Sequence, residues 1–253
     1  MKAKLICFVV AETPKPKKGK QEVLLTQPLK SAPHYFEATV PRQFLISQDK
    51  LTVRGLEGTE DLKSYQPTFL LAEATFDMEN IFFDDMIPFK EDVITQCREL
   101  LKKKGVKAVE EFSEEYSVFA VSEYSGDPEQ FFTHKEKLVG LLKSEKFPLD
   151  PKEVEYTLSA QLKYAKNDLV VVDWDGAFIF DPEADFASTV ELLELANLNL
   201  LKYRLLDVEL DKRLQYVAEI FQSLPEKRWT FFQFQRGEIK NALMTLIKIR
   251  ASS

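Results

Sequence analysis

An α+β fold is predicted: a mixed α/β head over about Met1 to Pro182, then a long helix and an antiparallel helical hairpin from about Glu183 to Ser253. Three observations point there. Apolar, strand-like runs flank a helical segment in the first half, a strand–helix–strand series that suits an α/β or α+β head. Past Asp181-Pro182 a helical pattern persists far beyond the roughly 11–12 residues of an average helix. Leu224-Pro225 then breaks that pattern, and a second amphipathic segment starts at Trp229. A short connection between two such helices predicts that they pair antiparallel.

Taken in order, Lys4 to Glu12 (KLICFVVAE) reads as a fully buried strand, closed by a Pro/Lys loop. His34 to Val40 and Phe44 to Val53 can each hold a short strand, with Gly55 and Gly58 as turn markers. Thr68 to Phe76 alternates enough for a strand with one buried face. Glu91 to Lys104 carries Val93, Ile94, Cys97, Leu100 and Leu101 at helical spacing. Lys102, Lys103 and Lys104 suit the negative end of that helix, and Gly105 suits the position after it. Tyr116 to Tyr124 is the next strand. Asp127-Pro128, Asp150-Pro151 and Asp181-Pro182 each put a capping carboxylate before a proline preset for the first helical position. They predict helices over Pro128 to about Ser144, Pro151 to about Lys163, and Pro182 onward. Asp150 with Glu153 also has capping-box spacing. Between the last two helices, Asp168 to Asp181 reads as a β-hairpin turning at Asp175-Gly176, a dipeptide that favours positive φ.

The long helix changes character along its length. From Leu192 to Val208 leucines point almost all round the helical wheel, which predicts burial on every side. Asn197 and Asn199 interrupt that stretch and would need partners if buried, since an unmatched amide costs about 1–3 kcal/mol; they are expected to specify packing. Farther on, Leu206, Leu210, Leu214, Val217 and Phe221 recur in steps of four, four, three and four, the seam of a helical hairpin or coiled coil. Trp229, Phe232, Ile239, Leu243 and Leu246 line the second helix. Ala251-Ser252-Ser253 follows without a clear cap, so either the chain belongs to something longer or a partner completes its end.

Composition narrows the classes of function. A net charge of −7 disfavours indiscriminate nucleic-acid binding. The basic loop Lys15, Lys17, Lys18 and Lys20 reads as a solvated face with no aromatic residue to stack a base; at most it would touch an anionic membrane peripherally. Cys7 and Cys97 are isolated, and His34 and His134 are the only histidines, so a Cys/His metal site is not expected and both thiols should be buried. No run approaches the roughly 18–20 apolar residues of a membrane span, and the expectation is a cytoplasmic protein.

One stretch carries recognisable chemistry. LVVVDWDGAFIFD resembles the nucleophile motif of haloacid dehalogenases, an apolar strand ending in Asp-x-Asp-Gly. The resemblance implies Asp173 as nucleophile and Asp175 as acid–base, with Mg²⁺ neutralising phosphate and Asp84 and Asp85 imitating the family's later acidic pair. Three departures count against it. Ala177 stands where the family carries Thr or Val. The acidic pair precedes the nucleophile, and too little chain follows for the remaining strands. The same residues make a β-hairpin with Trp174 at its tip.

DLVVVDWDGAFIFDP followed by LELANLNLLKYRLLD resembles an uncharacterised family of bacterial proteins over roughly the last third of the chain, a resemblance that implies no activity. In layout, a head feeding a long helix is also similar to the cytoplasmic part of CorA-type magnesium channels, but neither Gly-Met-Asn nor a membrane span occurs. The favoured expectation is therefore a non-catalytic interaction or scaffolding protein without cofactor. It would join a protein partner or a second copy through Leu206, Leu210, Leu214, Val217 and Phe221, with Trp229 and Phe232 as aromatic anchors. The alternative is a Mg²⁺-dependent phosphohydrolase.

Overall fold

The computed structural model describes residues 1–13, 23–24, 43–65, 68–82, 85–107, 109 and 111–222. They form a mixed α+β structure in two compact units, Met1–Leu201 and Lys202–Ser253. The strands are β1 (Lys2–Glu12), β2 (Val23–Leu24), β3 (Gln43–Val53), β4 (Leu56–Tyr65), β5 (Phe69–Met78), β6 (Ser113–Ser122), β7 (Gln161–Leu162), β8 (Leu169–Val172) and β9 (Gly176–Phe180). Among the described residues they make one sheet in the order β2-β3-β4-β5-β1-β6-β9-β8-β7. All neighbours are antiparallel except β6 and β9.

Strand β1 is apolar on both sides because both sides are covered. Leu5, Cys7 and Val9 face a core shared with helix α1 (Met86–Lys103), helix α2 (Lys135–Leu142) and helix α3 (Pro151–Ser159). Ile6, Phe8 and Val10 alternate to the other face and are equally buried. Phenylalanines fill much of the first core: the Phe119 and Phe178 rings stack at 4.7 Å, and the Phe131 and Phe180 rings at 5.2 Å. Both cysteines are free and buried, and burial pushes the Cys7 thiol up to about 12, so it stays protonated.

The capping aspartates act as their sequence suggests, with shifted helix lengths. Asp127 accepts the backbone N–H of Glu129, but Pro128–His134 is a 3-10 turn and α2 starts only at Lys135. Asp150 accepts the N–H of Lys152, and α3 stops at Ser159, short of Lys163. Asp181 accepts the N–H of Glu183, but the chain turns there and helix α4 (Ala187–Gln222) begins five residues after Pro182. Ala184, with φ 60°, sits in the left-handed region and cannot continue a helix from Pro182. Helix α1 starts at Met86, earlier than its periodicity shows, and Gly105 follows it with φ 92°.

Two glycines differ from their expected roles. Gly58 lies inside β4, where a Cβ would meet the Thr75 carbonyl oxygen at 2.5 Å. Gly176 opens β9 without positive φ; a Cβ there would come within 2.8 Å of the Ser117 carbonyl oxygen. The hairpin reversal thus runs over Asp173–Gly176, closed by Asp173 N–H donating to the Gly176 carbonyl at 2.9 Å, with Trp174 and Asp175 at its tip.

Helix α4 has 36 residues, about 54 Å at 1.5 Å per residue. Its basal turns, through Leu201, belong to the first unit, although the sequence assigns everything after Pro182 to the arm. All-round burial of its leucines is not found. Val190, Leu195, Leu198 and Leu201 are buried, while Leu192 is exposed. Asn197 is buried and donates to the Leu193 carbonyl of its own helix at 2.9 Å; Asn199 is exposed and specifies no packing. No helix among the described residues is long and apolar enough to cross a membrane. The strand expected at His34–Val40, the basic loop and the second helix of the hairpin lie outside the described residues.

Candidate functional site

Among the described residues, a buried cluster of charged and polar side chains lies where the base of α4 meets the second face of the sheet. Alternation along β4 and β5 places Leu62 and Ala72 in the first core, so Lys63, Tyr65 and Glu73 face the other way. Glu194 reaches them from α4, in the same buried stripe as Val190 and Leu198, with 1 % of its surface exposed. Its Oε2 accepts from the Tyr65 hydroxyl at 2.7 Å and from Gln43 Nε2 at 2.6 Å. Its Oε1 accepts from Lys63 Nζ at 2.8 Å, and the same ammonium donates to Glu73 Oε2 at 2.8 Å.

A buried carboxylate is tolerated only when it is paired and hydrogen-bonded, and Glu194 has a cation and two neutral donors. Burial alone would raise its pKa, but Lys63 and the hydrogen bonds from Glu73, Lys63 and Tyr65 outweigh that and hold it below the usual carboxylate range. Glu73 goes the other way. Burial, with the Glu194 charge beside it, lifts its carboxyl to about 8 against the pull of Lys63. Desolvation works against the Lys63 charge, yet the two glutamates raise its pKa, and burial followed by the Glu194 charge raises the Tyr65 phenol. The two carboxyls thus lean in opposite directions, Glu194 toward its charge and Glu73 toward its proton, with the Lys63 ammonium between them. The group fastens a helix to a sheet.

The sequence does not single these residues out. Glu73 looks like the solvent-facing position of a half-buried strand, Lys63 falls in no element that the sequence marks, and Glu194 is one acid among many. The available signal is positional: Glu194 falls four residues after Val190 and four before Leu198, inside an apolar stripe where a charge demands a partner.

The aspartates of the dehalogenase-like motif lie elsewhere. Asp173 Oδ1 accepts the N–H of Trp174 at 2.8 Å, and Oδ2 sits 2.8 Å from Lys143 Nζ, which also pairs with Glu153 at 2.8 Å. Glu153 therefore serves Lys143 and does not complete a capping box. The Tyr116 hydroxyl donates to the Asp173 carbonyl at 2.9 Å, and the Ser117 N–H donates to the Asp175 carbonyl at 3.2 Å. Asp175 and Trp174 are exposed at the hairpin tip. Asp85 is exposed before α1, and Asp84 is outside the described residues. Asp173 thus turns its carboxylate to a lysine, and no group of three or more His, Cys, Asp or Glu among the described residues is placed to hold a metal ion.

Of the association residues, Leu206, Leu210 and Val217 are half-buried and Leu214 is 55 % exposed. Phe221 falls in the last turn of α4, whereas Trp229 and Phe232 lie outside the described residues. Arg213 and Glu209 form an i,i+4 ion pair beside the stripe.

Residues 59–187, just over half of the chain, match the family described as "Uncharacterized protein MJ0711, N-terminal domain". The chain is 28% identical over 160 residues to "Uncharacterized protein MJ0711" of Methanocaldococcus jannaschii, an alignment covering 63% of this chain and 48% of that protein. It thus spans about half the length of this relative. No solved structure matches. The relative is archaeal, so the expectation of a bacterial family is not supported. The family match also lies mostly ahead of the last third: it includes DLVVVDWDGAFIFDP and ends before LELANLNLLKYRLLD.

Proposed function

This chain belongs to the family of the MJ0711 N-terminal domain, and we infer that it is a non-catalytic interaction protein whose sheet unit anchors a long helix and whose distal helix joins a second copy. The observation that carries this reading is the change of burial along α4. Its basal turns bury Val190, Glu194, Leu198 and Leu201, whereas no described side chain from Lys202 to Glu219 is fully buried. Leu206, Leu210, Leu214 and Val217 nevertheless continue as a regular apolar seam, and such seams pair with other helices.

Multi-angle light scattering of the full chain tests it. The wild type should exceed the 29.2 kDa of one chain, and Leu210→Asp should return the mass to that value while leaving helix content unchanged. A wild type that is already monomeric across the accessible concentration range contradicts self-association.

A further inference from the structure

The buried ion cluster holds more acid than base. Glu73 and Glu194 both contact Lys63. Asp61 lies directly across the β4–β5 ladder from Glu73, on the same face, and its Oδ1 is buried without a hydrogen-bond partner. Glu191, one turn before Glu194, adds a fourth carboxyl, half-buried, whose pKa is raised by burial and by the Glu194 charge. From β4 come Asp61, Lys63 and Tyr65, from β3 Gln43, and from α4 Glu191 and Glu194; the β1 residue opposite Glu73 is the apolar Phe8. Two carboxyls that share one cation in a desolvated space do not both stay ionised; one keeps its proton.

We propose that this cluster is a proton-operated latch, in which one proton between the Glu73 and Glu194 carboxyls holds the base of α4 on the sheet and its loss as the pH rises loosens that base. The device is separate from the self-association reading, because every group in it lies in the first unit.

The direction follows from linkage. When the base of α4 lifts, the Glu73 carboxyl meets water and returns toward its ordinary value of 4.5, so it releases a proton at any pH above that. In the closed state it keeps the proton up to about 8. Closure is thus strongest in mild acid, weakens as pH rises through this window, and levels off beyond about 8. One proton released per opening means about a tenfold loss of protection per pH unit across the window. Lys63 and Tyr65, both pushed above their ordinary values, keep their protons there.

Backbone hydrogen exchange of Val190–Leu201 in the full chain, corrected for intrinsic rates, tests the latch between pH 6 and pH 9. The wild type should lose protection roughly tenfold per pH unit up to about 8 and then flatten. Glu73→Gln keeps a donor toward Glu194 but cannot ionise, so its protection should not change with pH. Glu191→Gln, a half-exposed neighbour, should retain the wild-type slope. A flat wild-type profile, a Glu73→Gln profile with the wild-type slope, or a slope that disappears with Glu191 instead would each overturn the proposal.

Discussion

A methyl group at Gly176 would press on the Ser117 carbonyl at 2.8 Å, and the β6–β9 pairing that includes Ser117 and Gly176 leaves that backbone little room to retreat. Gly176→Ala should therefore lower stability by about 1–3 kcal/mol, read as a lower denaturation midpoint at unchanged slope. Glu194 is the second residue with a disproportionate effect. Glu194→Ala leaves the Tyr65 hydroxyl, Gln43 and half of the Lys63 pairing unmatched in a buried site, and removal of one partner from such a pair costs about 3–5 kcal/mol. Glu194→Gln keeps an acceptor for Tyr65 and should cost clearly less in the same denaturation experiment. Equal losses from the two variants would mean that the side chain matters only as volume. At this scale the sequence was partly legible. The aspartate caps at Asp127 and Asp150 could be read because a cap is a local hydrogen bond. The need for Gly176 was visible but attributed to a turn, because a close approach of another strand leaves no mark in the neighbouring sequence.

Among the elements, α4 shows how one helix can have two characters. Its basal leucines finish a core; its distal leucines form a seam. Leu198→Ala removes a fully buried side chain and should destabilise by about 2–5 kcal/mol. Leu214→Ala, at a 55 % exposed site, should change stability by no more than about 0.5 kcal/mol while weakening association, measured by sedimentation at several concentrations. Stability losses of similar size at both positions would contradict the division. Strands β1, β3, β5, β6 and the β8–β9 hairpin, with α1, were legible from alternation and periodicity, which depend on near neighbours; β4 was not, because Gly58 inside it reads as a turn. The start of α4 was not, because the Asp181 side chain is equally able to cap a helix or close a turn, and the left-handed conformation at Ala184 decides between them. All-round burial was expected from a wheel crowded with leucines. Yet a helix lying on one sheet buries one stripe, and Glu194 stands inside it.

For the whole molecule, a mixed α+β class followed from the series of strands and helices, but the strand order did not. Strand β1 is central, between β5 and β6, and β9 joins β6 in parallel after a long excursion through α2 and α3. Pairings across such distances are set by which faces end up covered, and β1 is apolar on both faces because both are buried, one of them against helices. The Lys63–Glu73–Glu194 cluster is a product of that topology: its members lie on three elements and come together only when the sheet and helix are both in place. The central claim is a fastened base and an associating distal half within one helix. Hydrogen exchange along α4, followed as the protein is diluted at a fixed pH of 7, tests it most directly. The account predicts protection at Val190–Leu201 that is independent of concentration, and protection at Lys202–Gln222 that falls as the protein is diluted. Uniform protection along the helix, unchanged by dilution, would contradict it.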